Sequence, residues 1–99
     1  MCEFKVIDKK TKAQVAEEIV ILSYSDEKKL LLKDILGISG NLESALIYDV
    51  NTLNQTCTLI QHPLINPFLQ LQEKISKGTA QISDVERVQS ALEEFKKTL

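Results

Sequence analysis

The chain has 99 residues, 43% of them apolar, with 14 acids against 12 bases and a net charge of −2. At that length roughly 60 to 70% of the unfolded surface can be buried, which predicts one core and leaves no room for a second full domain. No stretch approaches the ~20 apolar residues of a bilayer span, the mixed charges are those of a globular chain, and an acidic balance with Arg87 as its single arginine argues against nucleic acid as a partner.

Met1-Cys2-Glu3-Phe4-Lys5 contains no basic segment followed by an apolar one, so no secretory signal is expected and a cytoplasmic location follows. Two cysteines, Cys2 and Cys57, are too few for a disulfide framework and read as thiols. From Cys2 to Asp8 the residues alternate, Cys2, Phe4 and Val6 on one side and Glu3, Lys5 and Ile7 on the other, the period of a half-buried strand. Lys9 to Lys12 reads as a solvated turn. Val15 to Tyr24 is dense in β-branched residues and predicts a second strand, against a rival helix over Thr11 to Glu18. Ser25 to Lys28 is a hairpin turn, Leu30 to Leu36 a third strand, and Gly37 to Asn41 a loop in which two glycines permit backbone angles closed to other residues. Leu42 to Val50 alternates as a fourth strand, and Thr56 to Gln61 returns after the polar turn Asn51 to Asn54 as a fifth. Five short strands at this spacing predict an antiparallel meander curled into a small SH3-like β-barrel over residues 1–62.

After His62-Pro63 the period changes to about 3.6. Asn66 is suited to cap a helix and Pro67 to its first position, Phe68, Leu71 and Ile75 make one stripe, and Gly78 ends it, giving a first helix Pro67 to Lys77. Ser83-Asp84-Val85-Glu86 has the form of a capping box, followed by Val85, Val88, Leu92, Phe95 and Leu99 at three-four spacing. Residues 63–99 are therefore expected to form a helical hairpin that packs on the barrel or on a second subunit, and the fold class is α+β.

No segment carries a complete catalytic constellation, so the chain reads as a non-enzyme. Cys2 is the leading candidate for chemistry. Removal of Met1 would leave an α-amine and a thiol that close a five-membered ring on a metal, and the ordinary pKa values of the two groups, about 7.7 to 8.0 and about 8.5, let a metal displace both protons. Two such nitrogen and sulfur pairs, brought together across a twofold axis, would suit Ni(II) or Cu(II). The alternative is that Cys2 is a small buried hydrophobe at a strand start. Cys57 and His62, five residues apart, could join Cys2 in a mixed zinc site, but Cys57 sits mid-strand as a packing residue and His62 precedes Pro63 as a turn residue. Lys9, Lys10 and Lys12 form the nearest thing to a basic patch, with no interleaved aromatic residue to stack on bases. Gly37 and Gly40 precede a strand, so no helix N-terminus cradles a phosphate there.

Met1-Cys2-Glu3, Phe4-Lys5-Val6, Glu17-Glu18 before Ile19-Val20-Ile21, Leu31 to Gly37 and Thr58-Leu59-Ile60 resemble the CooT-type family of small nickel-binding proteins, over roughly residues 1 to 62. The resemblance implies a small all-β barrel, a homodimer, Cys2 as the nickel ligand, and nickel handling for carbon monoxide dehydrogenase maturation. Related sequences are often labelled predicted RNA-binding proteins. The helical pair and the longer first turn depart from that pattern. The resulting expectation is a homodimeric nickel chaperone or store using Cys2. The alternatives are a module that binds a protein partner through its C-terminal helices, or an RNA-binding protein.

Overall fold

The computed structural model describes residues 3–99. Strands β1 (Phe4–Asp8), β2 (Gln14–Tyr24), β3 (Leu30–Asp34), β4 (Ser39–Leu42), β5 (Ala45–Asn51) and β6 (Thr56–Gln61) precede helices α1 (Ile65–Lys77) and α2 (Ile82–Lys96). The class is α+β: a six-stranded sheet in the order β4-β3-β2-β1-β6-β5, followed by a two-helix pair. Among the described residues no helix is long and apolar enough to cross a membrane.

Two features of the expected barrel are corrected. The sheet is mixed, because β1 pairs in parallel with β6 (Val6 opposite Cys57, Asp8 opposite Leu59), while β1–β2, β2–β3, β3–β4 and β5–β6 are antiparallel. Among the described residues it also has six strands and is not closed, β4 and β5 being its two ends. The run Leu42 to Val50 alternates throughout, but at Glu43-Ser44 the chain turns, because the Ser44 hydroxyl donates to the His62 carbonyl and accepts the Asn66 N–H at 2.8 Å. The bend ends β4 and begins β5: before it Leu42 pairs with Leu30 of β3, and after it Ala45 pairs with Gln61 of β6. The loop expected over Gly37 to Asn41 is corrected as well, since Ser39, Gly40 and Asn41 pair with Lys33, Leu32 and Leu31 and make most of the edge strand β4.

The long strand β2 turns a corner of its own. Phe4 faces Ile19, Val6 faces Ala16 and Ile7 faces Gln14, so β2 carries two extra residues against β1, one at each of two register shifts, and Glu18, at the first, takes a positive φ of 55°. Such a bulge bends a strand and sharpens its twist. The first half of β2 pairs with β1 and the second half, Ile19 to Tyr24, with β3. The curled sheet packs Val6, Ile19, Leu30, Leu32, Ala45, Cys57 and Leu59 into one core. Tyr24 spans the curl, its hydroxyl donating to the Ala45 carbonyl at 2.8 Å. Asp8, on the same side of β1 as Val6, is buried and accepts from the Thr11 N–H (2.9 Å), the Thr11 hydroxyl (3.1 Å) and the Gln61 amide (3.1 Å).

The helices begin earlier than their sequence signals indicate. α1 starts at Ile65, with Leu64 before it and no side-chain cap. Its exposed N–H groups are met from outside the helix: Ile65 donates to the His62 carbonyl and Asn66 to Ser44 Oγ. Asn66 is thereby released from capping, and its side-chain amide bonds the Glu27 and Lys28 carbonyls at 2.9 and 3.1 Å, aided by Gln70 and by the Lys28–Glu73 ion pair at 3.2 Å. Polar contacts thus bolt α1 to the β2–β3 turn. The capping function of α2 falls on Gln81 and Asp84, whose buried carboxylate accepts the Gln81 N–H at 2.8 Å; Ser83 and Glu86 lie inside the helix. Gly78, at φ 70°, ends α1 as expected: its N–H bonds the Ile75 carbonyl, and the Thr79 N–H bonds that of Lys74.

Candidate functional site

Cys2, the leading candidate from sequence, lies outside the described residues. The surface next to it in sequence is described. Glu3, Lys5, Glu17, Glu18, Asn54 and Gln55, with Phe4, line a polar cleft of about 380 Å³ at the start of β1. The β2 bulge builds one wall, since it turns the acidic pair Glu17-Glu18 outward beside Glu3. Among the described residues no group of three or more His, Cys, Asp and Glu side chains is placed to hold a metal ion.

The mixed zinc site is not assembled. Cys57 and His62 stand at opposite ends of β6, and five strand residues span roughly 16 Å. The Cys57 side chain is fully buried in the core, and that burial pushes its thiol pKa up, with the Asp49 carboxylate adding in the same direction. A neutral thiol in an apolar core is neither ligand nor nucleophile. His62 is occupied structurally: its Nδ1 accepts the Leu64 N–H at 3.1 Å, and its ring meets Phe95 edge-on at 4.9 Å, tying the start of α1 to the end of α2.

At the first turn the structure adds what the sequence lacked. The Lys9 ammonium sits over the Tyr48 ring at 4.8 Å, and Lys9, Lys10, Tyr48, Ile60, Gln61 and His62 surround a shallow cleft. Tyr48 comes from the β5 bulge, where Ile47 faces Leu59 and Asp49 faces Thr58. Its approach to Lys9 is a product of the parallel β1–β6 pairing, which no local sequence signal announces. Gly37 lies in the β3–β4 turn, whose N–H groups at Leu36 and Ile38 are taken by the Asp34 carboxylate, while Gly40 lies in β4 opposite Leu32, and no phosphate cradle forms there.

A further feature not expected from the sequence is an apolar groove of about 440 Å³ between β5, α1 and α2, lined by Leu46, Leu64, Ile65, Phe68, Leu69, Val88 and Leu92. None of these residues carries a charge. The hairpin is poorly covered: α1 buries no side chain, Asp84 is the buried residue of α2, and Phe68 and Leu92 are each half exposed. The signal for the groove is in β5, where Leu46, Tyr48 and Val50 make its second face apolar as well, so neither face of that strand is written for water.

Neither models of known protein families nor curated proteins compared with this chain match it.

Proposed function

We propose that this chain acts by binding rather than by catalysis, as a docking module whose working surface is the helical hairpin with the adjoining face of β5. The observation that carries this reading is the uncharged groove between β5, α1 and α2, flanked by a hairpin with no buried apolar side chain. Isolated helices of 13 and 15 residues are marginal in water and gain most of their stability from burying an apolar face. Here that face is only partly covered by the chain's own sheet. Apolar surface gathered into a groove, rather than scattered singly, is the usual mark of an interaction site. A photo-crosslinking amino acid at Phe68, compared with one at Glu17 on the polar cleft, tests the reading in cells. A discrete adduct from position 68 with none from 17 is expected; equal, diffuse labelling from both would overturn it.

A second reading is nickel storage or delivery through Cys2 in a cytoplasmic homodimer, serving carbon monoxide dehydrogenase maturation. It is favoured by the acidic cleft at the start of β1, where Glu3, Glu17 and Glu18 would attract a divalent cation. The described residues do not complete a donor set, so the ion would depend on Cys2 and on donors from a second chain. Calorimetric titration with nickel separates the readings: Cys2→Ser abolishes stoichiometric binding if the ligand is that thiol, and unchanged binding removes the idea.

A further inference from the structure

We infer that the occupant of the hairpin groove is a second copy of this chain, so that two hairpins close on each other about a twofold axis as a four-helix layer. This deepens the docking reading and rests on it. Three observations select a second copy. The first is charge. A twofold interface sets each patch against itself, so a patch bearing one sign of charge repels its own copy. The seven groove residues bear none, and the chain's net charge of −2 is small. A groove without charge gives a charged partner nothing to pair with, whereas an identical apolar face is its own complement.

The second is periodicity. Phe68 and Ile75 on α1, and Val85 and Leu92 on α2, are each seven residues apart, two helical turns, and so lie along one side of their helices. This carries the apolar face from the groove toward the loop between the helices. The third is area. Leu46, Phe68, Ile75, Val85, Leu92 and Phe95 are between 37 and 52% exposed. At roughly 150 to 200 Å² for each large apolar residue fully exposed, about 500 Å² of apolar surface is left bare. A standard stable interface removes about 800 Å² per partner, of which some 56 to 65% is apolar, or about 450 to 520 Å². The bare face therefore matches one side of a self-contained dimer. In that arrangement Phe68, the largest half-exposed side chain on the rim, enters the groove of the opposite copy.

Sedimentation equilibrium of the full chain from about 1 to about 100 µM is expected to give twice the monomer mass of 11.2 kDa. Phe68→Glu or Leu92→Glu should give a monomer with unchanged far-ultraviolet circular dichroism, because a twofold interface would bury the new carboxylate twice. Should either variant unfold, Phe68→Ala serves instead and should weaken the dimer by at least about tenfold. Leu53→Glu, at the exposed β5–β6 turn, should leave the dimer unchanged. A monomer at the highest concentration, or a dimer indifferent to both the Phe68 and the Leu92 substitutions, overturns the inference. A monomer that still gives a discrete heavier adduct from position 68 overturns the second copy alone and leaves the docking surface standing with a different protein on it. Absence of any adduct removes both.

Discussion

Leu30, Leu31 and Leu32 are chemically identical neighbours on β3, and truncating each to alanine separates the effect of the sheet from the effect of the residue. Alternation along the strand turns Leu30 and Leu32 into the core, at 0 and 7% exposure, and leaves Leu31 outside at 38%. Removing a buried leucine side chain costs its transfer free energy plus a term for the cavity, about 2.7 to 5 kcal/mol in a well-packed site. Among the described residues Leu30 belongs to a core of seven buried side chains, contributed by β1, β2, β3, β5 and β6, so the cavity has few neighbours to collapse into it. A cost near 3 kcal/mol is expected for Leu30→Ala and slightly less for Leu32→Ala. Leu31→Ala loses only partly buried surface and creates no enclosed void, so about 1 kcal/mol is expected. Against a total stability of about 5 to 15 kcal/mol for such a domain, the first change is a large fraction of the whole. Urea denaturation with the slope held common measures all three, and Tm should fall by about 4 to 8 °C per kcal/mol. Equal losses at positions 30 and 31, or a loss at 30 below about 1 kcal/mol, would refute the burial pattern and with it the register of β3 between β2 and β4.

Three further outcomes follow from the polar contacts and the buried thiol. The Thr11 N–H first, and the Gln61 amide next, hold the Asp8 carboxyl below the ordinary aspartate value. The stabilisation is therefore whole above the unfolded value near 3.9 and is lost as pH falls through the lower folded value; the urea midpoint of Asp8→Asn should vary less with acid than that of the native chain, and parallel curves would count against these bonds. In a Cys2→Ser background, Cys57 should resist alkylation by iodoacetamide in the native state and react only as urea unfolds the chain, since burial raises its pKa and blocks access; rapid native labelling would contradict its place in the core. Asn66→Ala removes two hydrogen bonds to the β2–β3 turn, and a loss of about 1 to 2 kcal/mol is expected, with faster amide hydrogen exchange in α1; a change confined to the sheet would contradict the bolting role given to that residue.

Five of the six strands and both helices were legible because their signals are local, whereas β4, with Gly40 in its middle, read as a loop. Phe4 to Asp8 and Thr56 to Gln61 alternate as a half-buried strand requires, and the β-branched run through Val20 and Ile21 excludes the rival helix that Ala13, Ala16, Glu17 and Glu18 suggested. The change of period after His62 and the stop at Gly78 located the hairpin within two residues at its start. The caps misled for a physical reason. Asn66 and Ser83 are the residue types that satisfy helix N-termini, but which donor is left unpaired depends on what else is near, and Ser44, 22 residues upstream, already serves α1.

Composition and periodicity determined the class of this chain, five of its six strands and both helices, because each depends on neighbours within a few positions. Tertiary structure decided three things: the bend at Glu43-Ser44 that separates the edge strand β4 from β5, the parallel junction of β1 with β6 that sets Lys9 over Tyr48, and the groove left between α1, α2 and β5. All three arise from residues far apart in the chain, such as Ser44 with Asn66 or Leu46 with Leu92. Their meeting costs loop-closure entropy and is repaid only when the whole sheet curls, so no window of sequence contains it.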